Sequence, residues 1–319
     1  MNVFWNACVV LGIAVIGSRA GIAQNVELPK DGYVTAEWTE TLPEGAFPIC
    51  VVPTDFSKPP RLLIQDLEYV TTKSRHGSPA WSKDGSKIAF DCQPADGDLN
   101  KGRIITCNVD GTDVRDVGLG LMPNWSPAGT RLAFSTYEAP GYVCTINADG
   151  TDRQVIPGAE NGWGTQWSPD GLSIAYYLWQ DGCQLMVYDL VKKETRSIIP
   201  AEDNPYRQIY WNFAWSPDSQ KIAICGVRKS DGLKETALVN VTPGNYERQV
   251  LTSFYRDSYY LDYHPDGNQL VYGEAGCIMS FDLTKQDATP QLLQGQSPDF
   301  GYSNPAVSPN GKWIAVGLR

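Results

Sequence analysis

Histidine is the side chain best suited to proton transfer and metal ligation near neutral pH, and this chain has two, His76 and His264. They sit in different copies of the repeat that organises the chain. His264 stands where the other copies carry Ser beside a hairpin turn, which marks a structural substitution. His76, in Arg75-His76-Gly77, lies ahead of the first strand of its copy. Two imidazoles so placed cannot share an ion. Asn124, Gln166 and Asp262 fall on innermost strands, but one carboxylate among amides is a thin donor set for calcium or magnesium. No Gly-x-Ser-x-Gly elbow occurs, and Gly118-Leu119-Gly120 runs into Met122-Pro123 rather than a phosphate-binding helix. The sequence therefore calls for no cofactor and no metal.

Beyond Cys8, the cysteines are Cys50, Cys92, Cys107, Cys144, Cys183, Cys225 and Cys277, an odd count with no C-x-x-C pair. That spacing carries no zinc or dithiol signal. Five of the seven recur at similar places in the repeat. This pattern reads as buried, mostly unpaired thiols with at most one or two disulfides.

The elements that position these residues come from an internal repeat. Six segments align, at Pro79, Pro123, Thr165, Phe213, Leu261 and Pro305, with Trp81, Trp125, Trp167, Trp215, Tyr263 and Val307 at their third positions. The steps between these are 44, 42, 48, 48 and 44 residues, the period of four-stranded propeller blades. Each segment reads as a β-hairpin. Asp84-Gly85, Asp170-Gly171, Asp266-Gly267 and Asn310-Gly311 supply the turns, and the following strands, such as Ile88-Ala89-Phe90, are apolar on both faces. Trp81, Trp125, Trp167 and Trp215 alternate with small or polar neighbours, so they read as structural interlocks between blades. The last copy stops after two strands, while Ile49–Val52 and Arg61–Ile64 match the missing half. The expected fold is all-β: a six-bladed β-propeller of four-stranded antiparallel blades. Its N- and C-terminal strands share one blade and close the ring.

Hydrophobic residues make up 42% of the 319 and charged residues 19%, which suits a large core and excludes disorder. The net charge of −10 argues against nucleic acid and anionic lipid as partners. Residues 1–23 read as a signal peptide, with an apolar run from Ala7 to Gly17 and small residues before Gln24. That run is shorter than the roughly 20 residues a membrane span requires. Residues 24–48 form an N-terminal extension and residues 49–319 the propeller. The expected product is a periplasmic or secreted monomer with no membrane span in the mature chain.

The Trp-Ser-Pro-Asp-Gly hairpin, complete at Trp167–Gly171, together with the Asp110-Gly111-Thr112-Asp113 and Asp149-Gly150-Thr151-Asp152 turns, resembles the repeat of TolB-like six-bladed propellers. These are WD40-like proteins of the bacterial envelope, and the resemblance runs from about Ile49 to Gly317. It implies an exported, non-catalytic scaffold that binds other proteins at one end of the ring. The α/β domain that precedes the propeller in the family's namesake has no counterpart in residues 24–48.

The loops of one face are rich in aromatics with interspersed Arg, the residue types that dominate binding hot spots. His76, Trp163, Tyr206, Tyr210, Trp211, Arg256, Tyr259 and Tyr302 are the expected contacts for a protein, peptide or glycan. The competing reading is that each ring fills a gap between wedge-shaped blades. The alternative function is a carbohydrate-active hydrolase or lyase on the same scaffold.

Overall fold

In the computed structural model the described residues are 47–64, 75–94, 96–178, 184–210, 212–254, 260–274, 276–286, 288–294 and 301–318. The expected leader, most of the extension, Cys183, Trp211, Arg256 and Tyr259 lie outside them.

Six antiparallel sheets form the blades. From the innermost strand outward, the first blade is Arg75–Trp81, Lys87–Gln93, Arg103–Asn108 and Arg115–Leu119. The second is Leu121–Trp125, Arg131–Ser135, Tyr142–Asn147 and Gln154–Glu160. The third is Gly162–Trp167, Ser173–Leu178, Gln184–Asp189 and Glu194–Ser197. In the fourth the innermost strand is split into Tyr206–Ile209 and Ala214–Trp215, followed by Lys221–Arg228, Lys234–Asn240 and Arg248–Phe254. The fifth is Leu261–Tyr263, Gln269–Glu274, Cys277–Asp282 and Gln291–Gln294. The sixth joins both ends of the chain, with Tyr302–Val307 and Trp313–Leu318 followed by Ile49–Pro53 and Arg61–Leu62. Its central ladder pairs Cys50 with Val316, Val51 with Ala315 and Val52 with Ile314. Closure leaves no blade with half its strands missing, and removes the edges that a half-built blade would expose.

The hairpin turns explain the repeat motif. Ser168 Oγ donates to Asp170 Oδ1 at 2.5 Å and accepts from Ser173 N at 2.9 Å. Asp170 in turn accepts from Leu172 N, and Gly171 takes φ +78°, open to glycine at little steric cost. His264 fills the Ser slot in the fifth blade, its Nδ1 lying 2.6 Å from Asp266 Oδ1. Neighbouring turns also touch: the prolines of one blade, Pro127, Pro217 and Pro309, lie against Gly171, Gly267 and Gly85 of the next.

Second strands are sealed on both faces, with Ile88, Ala89, Phe90, Ile174, Ala175 and Tyr176 all buried. Each such large apolar side chain contributes about 1.5–3 kcal/mol relative to exposure. Between blades the repeat Trp residues interlock. Trp81 Nε1 donates to the Ala306 carbonyl at 2.8 Å, and Trp215 Nε1 to the Gln166 carbonyl at 3.3 Å. Trp125 and Trp167 occupy the same place in the second and third blades, each packed in the apolar layer beside its inner strand. Cys50, Cys107, Cys144 and Cys225 are buried free thiols, Cys92 is buried and Cys277 half-buried. Burial pushes the Cys107 and Cys225 thiols up to about 12, which removes their reactivity as thiolates.

Candidate functional site: the central channel

All six innermost strands contribute to one cavity of about 970 Å³ on the propeller axis. Two rings of side chains define its wall. The first is the position before the repeat Trp, with Ala80, Asn124, Gln166, Asp262 and Ala306 on the wall and the equivalent Ala214 of the fourth blade buried in the core behind it. The second lies two residues earlier: Ser78, Met122, Gly164, Asn212, Tyr260 and Asn304. Toward the hairpin turns the lining becomes Trp81, Trp125, Trp167 and Trp215 with Pro127, Pro169, Pro217, Pro265 and Pro309, an apolar collar.

The second ring is built on backbone kinks. Ser78, Met122, Gly164 and Asn304 have φ of 47°, 56°, 64° and 48°, and the ladder to the second strand slips at each of these places. Such bulges kink a strand and re-aim its side chains. Left-handed backbone at a non-glycine residue costs about 1–3 kcal/mol, and three of these residues also precede Pro. Asp91 supports one of them: its Oδ2 accepts Met122 N at 3.0 Å across the blade boundary. The Asp91 carboxyl is 1% exposed, and burial raises its pKa against the hydrogen bonds from Met122, Ser78 and Gln93.

In the first ring, two polar side chains clamp neighbouring blades. Asn124 Oδ1 accepts Trp167 N at 2.8 Å, and Asp262 Oδ2 accepts Val307 N at 3.0 Å. Burial pushes the Asp262 carboxyl up to about 6, against the N–H groups of Val307 and Tyr263. Burial likewise pulls His264 down to about 4, so it is neutral near pH 7. Two of the three oxygen donors weighed for a cation, Asn124 and Asp262, are thus engaged with backbone. Among the described residues no three His, Cys, Asp or Glu side chains gather into a metal-binding group.

The expected contact residues fall elsewhere, and the placement corrects several readings. His76 is in the innermost strand of the first blade, paired with Cys92, 3% exposed and packed on the Phe90 ring at 5.2 Å, rather than ahead of that strand. Tyr206, Tyr210 and Tyr302 are 0%, 8% and 3% exposed. Tyr206 and Tyr302 lie in strands, and all three rings fill the space between blades. The inner strands continue past the bulge, so residues that read as loop become strand ends facing the core. Trp163 is also a strand residue, half-buried, and meets Tyr137 edge-on at 4.5 Å, with Tyr137 37% exposed. Trp211, Arg256 and Tyr259 lie outside the described residues. Sequence reasoning missed the ring of Ser78, Met122, Asn212 and Asn304, although a Pro follows three of the six ring positions at a fixed offset.

No family model and no curated protein matches the chain at the sequence level. Solved structures do match. A protein described as putative TolB from Agrobacterium tumefaciens superposes with a TM-score of 0.64 at 18% identity, over 85% of this chain and 97% of that one. TolB from Acinetobacter baumannii gives 0.58 at 13% identity over 86% of this chain, which spans 64% of that protein's length. Hydrazine synthase from Kuenenia stuttgartiensis gives 0.52 at 18% identity, over 75% and 72%. Identities this low speak to architecture rather than activity. Among the described residues no helix is long and apolar enough to cross a membrane. The chain is a six-bladed β-propeller of the TolB-like architecture.

Proposed function

We propose that this chain is an exported, non-catalytic scaffold that holds a protein or peptide partner, with the central channel as its principal contact surface. The observation that carries this reading is the channel wall: amides, hydroxyls and one carboxylate drawn from six blades, below a collar of Trp and Pro. Such a lining offers hydrogen bonds and apolar area without an assembled nucleophile, base and orienting group. The TolB likeness and the leader read from residues 1–23 support a place in the cell envelope. The Tyr137–Trp163 pair gives the loop face a second, smaller contact zone.

The test is cross-linked capture from the cell envelope, read by mass spectrometry, with wild type beside Gln166→Trp, which narrows the channel, and Trp163→Ala with Tyr137→Ala. Capture lost in Gln166→Trp at unchanged melting temperature supports the channel. Capture indifferent to Gln166→Trp, together with turnover of an oligosaccharide panel, replaces the scaffold with an enzyme.

A further inference from the structure

Among the described residues, Asp262 is the only carboxylate on an innermost strand. Its clamp on Val307 N needs an acceptor oxygen but no charge, because Asn124 makes the equivalent bond to Trp167 N with an amide. Charge at this position is therefore surplus to the fold. It is also costly, since burial opposes ionisation and the groups that act on the carboxylate are neutral N–H donors. The other charged groups of the lining are committed or peripheral. Asp266 is bonded to His264, while Lys83 and Lys312 belong to the turns at the rim.

The two neighbouring blades each carry an amide in the second ring. Asn304 and Asn212 line the same cavity, and Asn304 Oδ1 and Asn212 Nδ2 are buried with no hydrogen-bond partner among the described residues. Asn304 lies three residues before Val307, on the strand that Asp262 holds. Buried polar atoms without partners are rare in native proteins, and each calls for an explanation such as a bound water, an ion or a functional role.

We propose that Asp262 is a specificity-determining residue of the channel, selecting a partner segment by a guanidinium or primary ammonium group. This rests on the channel being the partner's seat. A cation there supplies the counter-charge that the fold omits. Its hydrogen bonds to a carboxylate are about twice as strong as neutral ones, and the net charge of −10 steers cations toward the protein.

The experiment is calorimetric titration at pH 7.5 of wild type, Asp262→Asn and Gln166→Trp with acetyl-Gly-Arg-Gly-amide, its citrulline counterpart and calcium chloride alone. The expected result is an arginine peptide bound at least about tenfold more tightly than the citrulline peptide, a difference of about 1.4 kcal/mol. Asp262→Asn erases that preference while its circular dichroism stays native. Equal binding of the two peptides, no binding of either, a preference that survives Asp262→Asn, or saturation by calcium that excludes the arginine peptide overturns the inference. Loss of envelope capture in Gln166→Trp alongside any of these keeps the scaffold reading and removes only this residue's role. An arginine preference unaffected by Gln166→Trp removes the channel as the seat.

Discussion

The Tyr206 hydroxyl donates to the Glu235 carboxylate at 2.7 Å, in the wall between the third and fourth blades, where both side chains are fully buried. Arg248 bonds the same carboxylate and lies over the Tyr206 ring, and Arg228 reaches it at 3.4 Å. Gly226 is required here because a Cβ would sit 2.4 Å from the ring. Tyr206→Phe leaves Glu235 paired with arginine but removes a hydrogen bond to a charged group, worth about 1.5–3 kcal/mol. Urea unfolding should register a loss of that size, with partner capture unchanged. A Tyr206→Phe protein as stable as wild type means that the hydroxyl contributes nothing.

Why Tyr206 read as a surface residue is physical. The Trp-Ser-Pro-Asp-Gly motif marks the half of each innermost strand that lies next to a turn, because turn chemistry is local and leaves a signature. The other half begins beyond a bulge, where the alternation of faces is broken, and Tyr206, Tyr302 and His76 lie there. Blade count and the shared sixth blade were legible, since a repeat reports its own period and its missing half. The pairing of Asp262 with Val307 and of Asp91 with Met122 was not, because each joins strands some 30 to 45 residues apart through a single acceptor.

Ile314 tests the closing blade. It is fully buried and pairs with Val52 from the other end of the chain. Ile314→Ala should cost about 2–5 kcal/mol, comparable with Ile88→Ala in a blade formed from continuous sequence. Denaturant midpoints compare the two. A closing blade that tolerates Ile314→Ala with no shift while Ile88→Ala is destabilised does not act as part of the ring.

His264 makes stability depend on pH on the acid side. Its pKa is about 4 in the fold and 6.5 as a free side chain, so the unfolded chain takes up the proton first. Its contribution is intact above about 6.5 and is lost as pH falls through 4, by at most about 3 kcal/mol. His264→Ser restores the residue used at Ser82, Ser168, Ser216 and Ser308, each of which bonds the acid or amide two residues on. The cavity left by the imidazole lowers stability equally at every pH. The informative quantity is thus the slope of unfolding free energy between pH 6.5 and 4, which should be shallower in His264→Ser. An unchanged slope assigns the acid sensitivity to other groups.

Asp262, two residues away, acts in the opposite direction. A carboxyl whose pKa is raised from 3.8 to about 6 holds its proton more tightly in the fold than in the unfolded chain. The stability it contributes is present below 3.8 and is lost as pH rises through 6, again by no more than about 3 kcal/mol. Asn at this position keeps an acceptor for Val307 N, as Asn124 does for Trp167 N, and does not titrate. Asp262→Asn should therefore match wild type near pH 3.5 and exceed it above pH 6, as read by urea midpoints across that range. His264, Asp266, Lys83, Lys312, Tyr260 and Tyr263, the other ionisable residues of the lining, are present in both proteins, so the difference between them isolates Asp262. A gain in stability at neutral pH from the same substitution that erases the arginine preference means that the carboxylate is retained for binding, against the interest of the fold. An Asn variant less stable than wild type at pH 7.5 instead makes the carboxylate a structural requirement, and the case for a selected cation loses its physical basis.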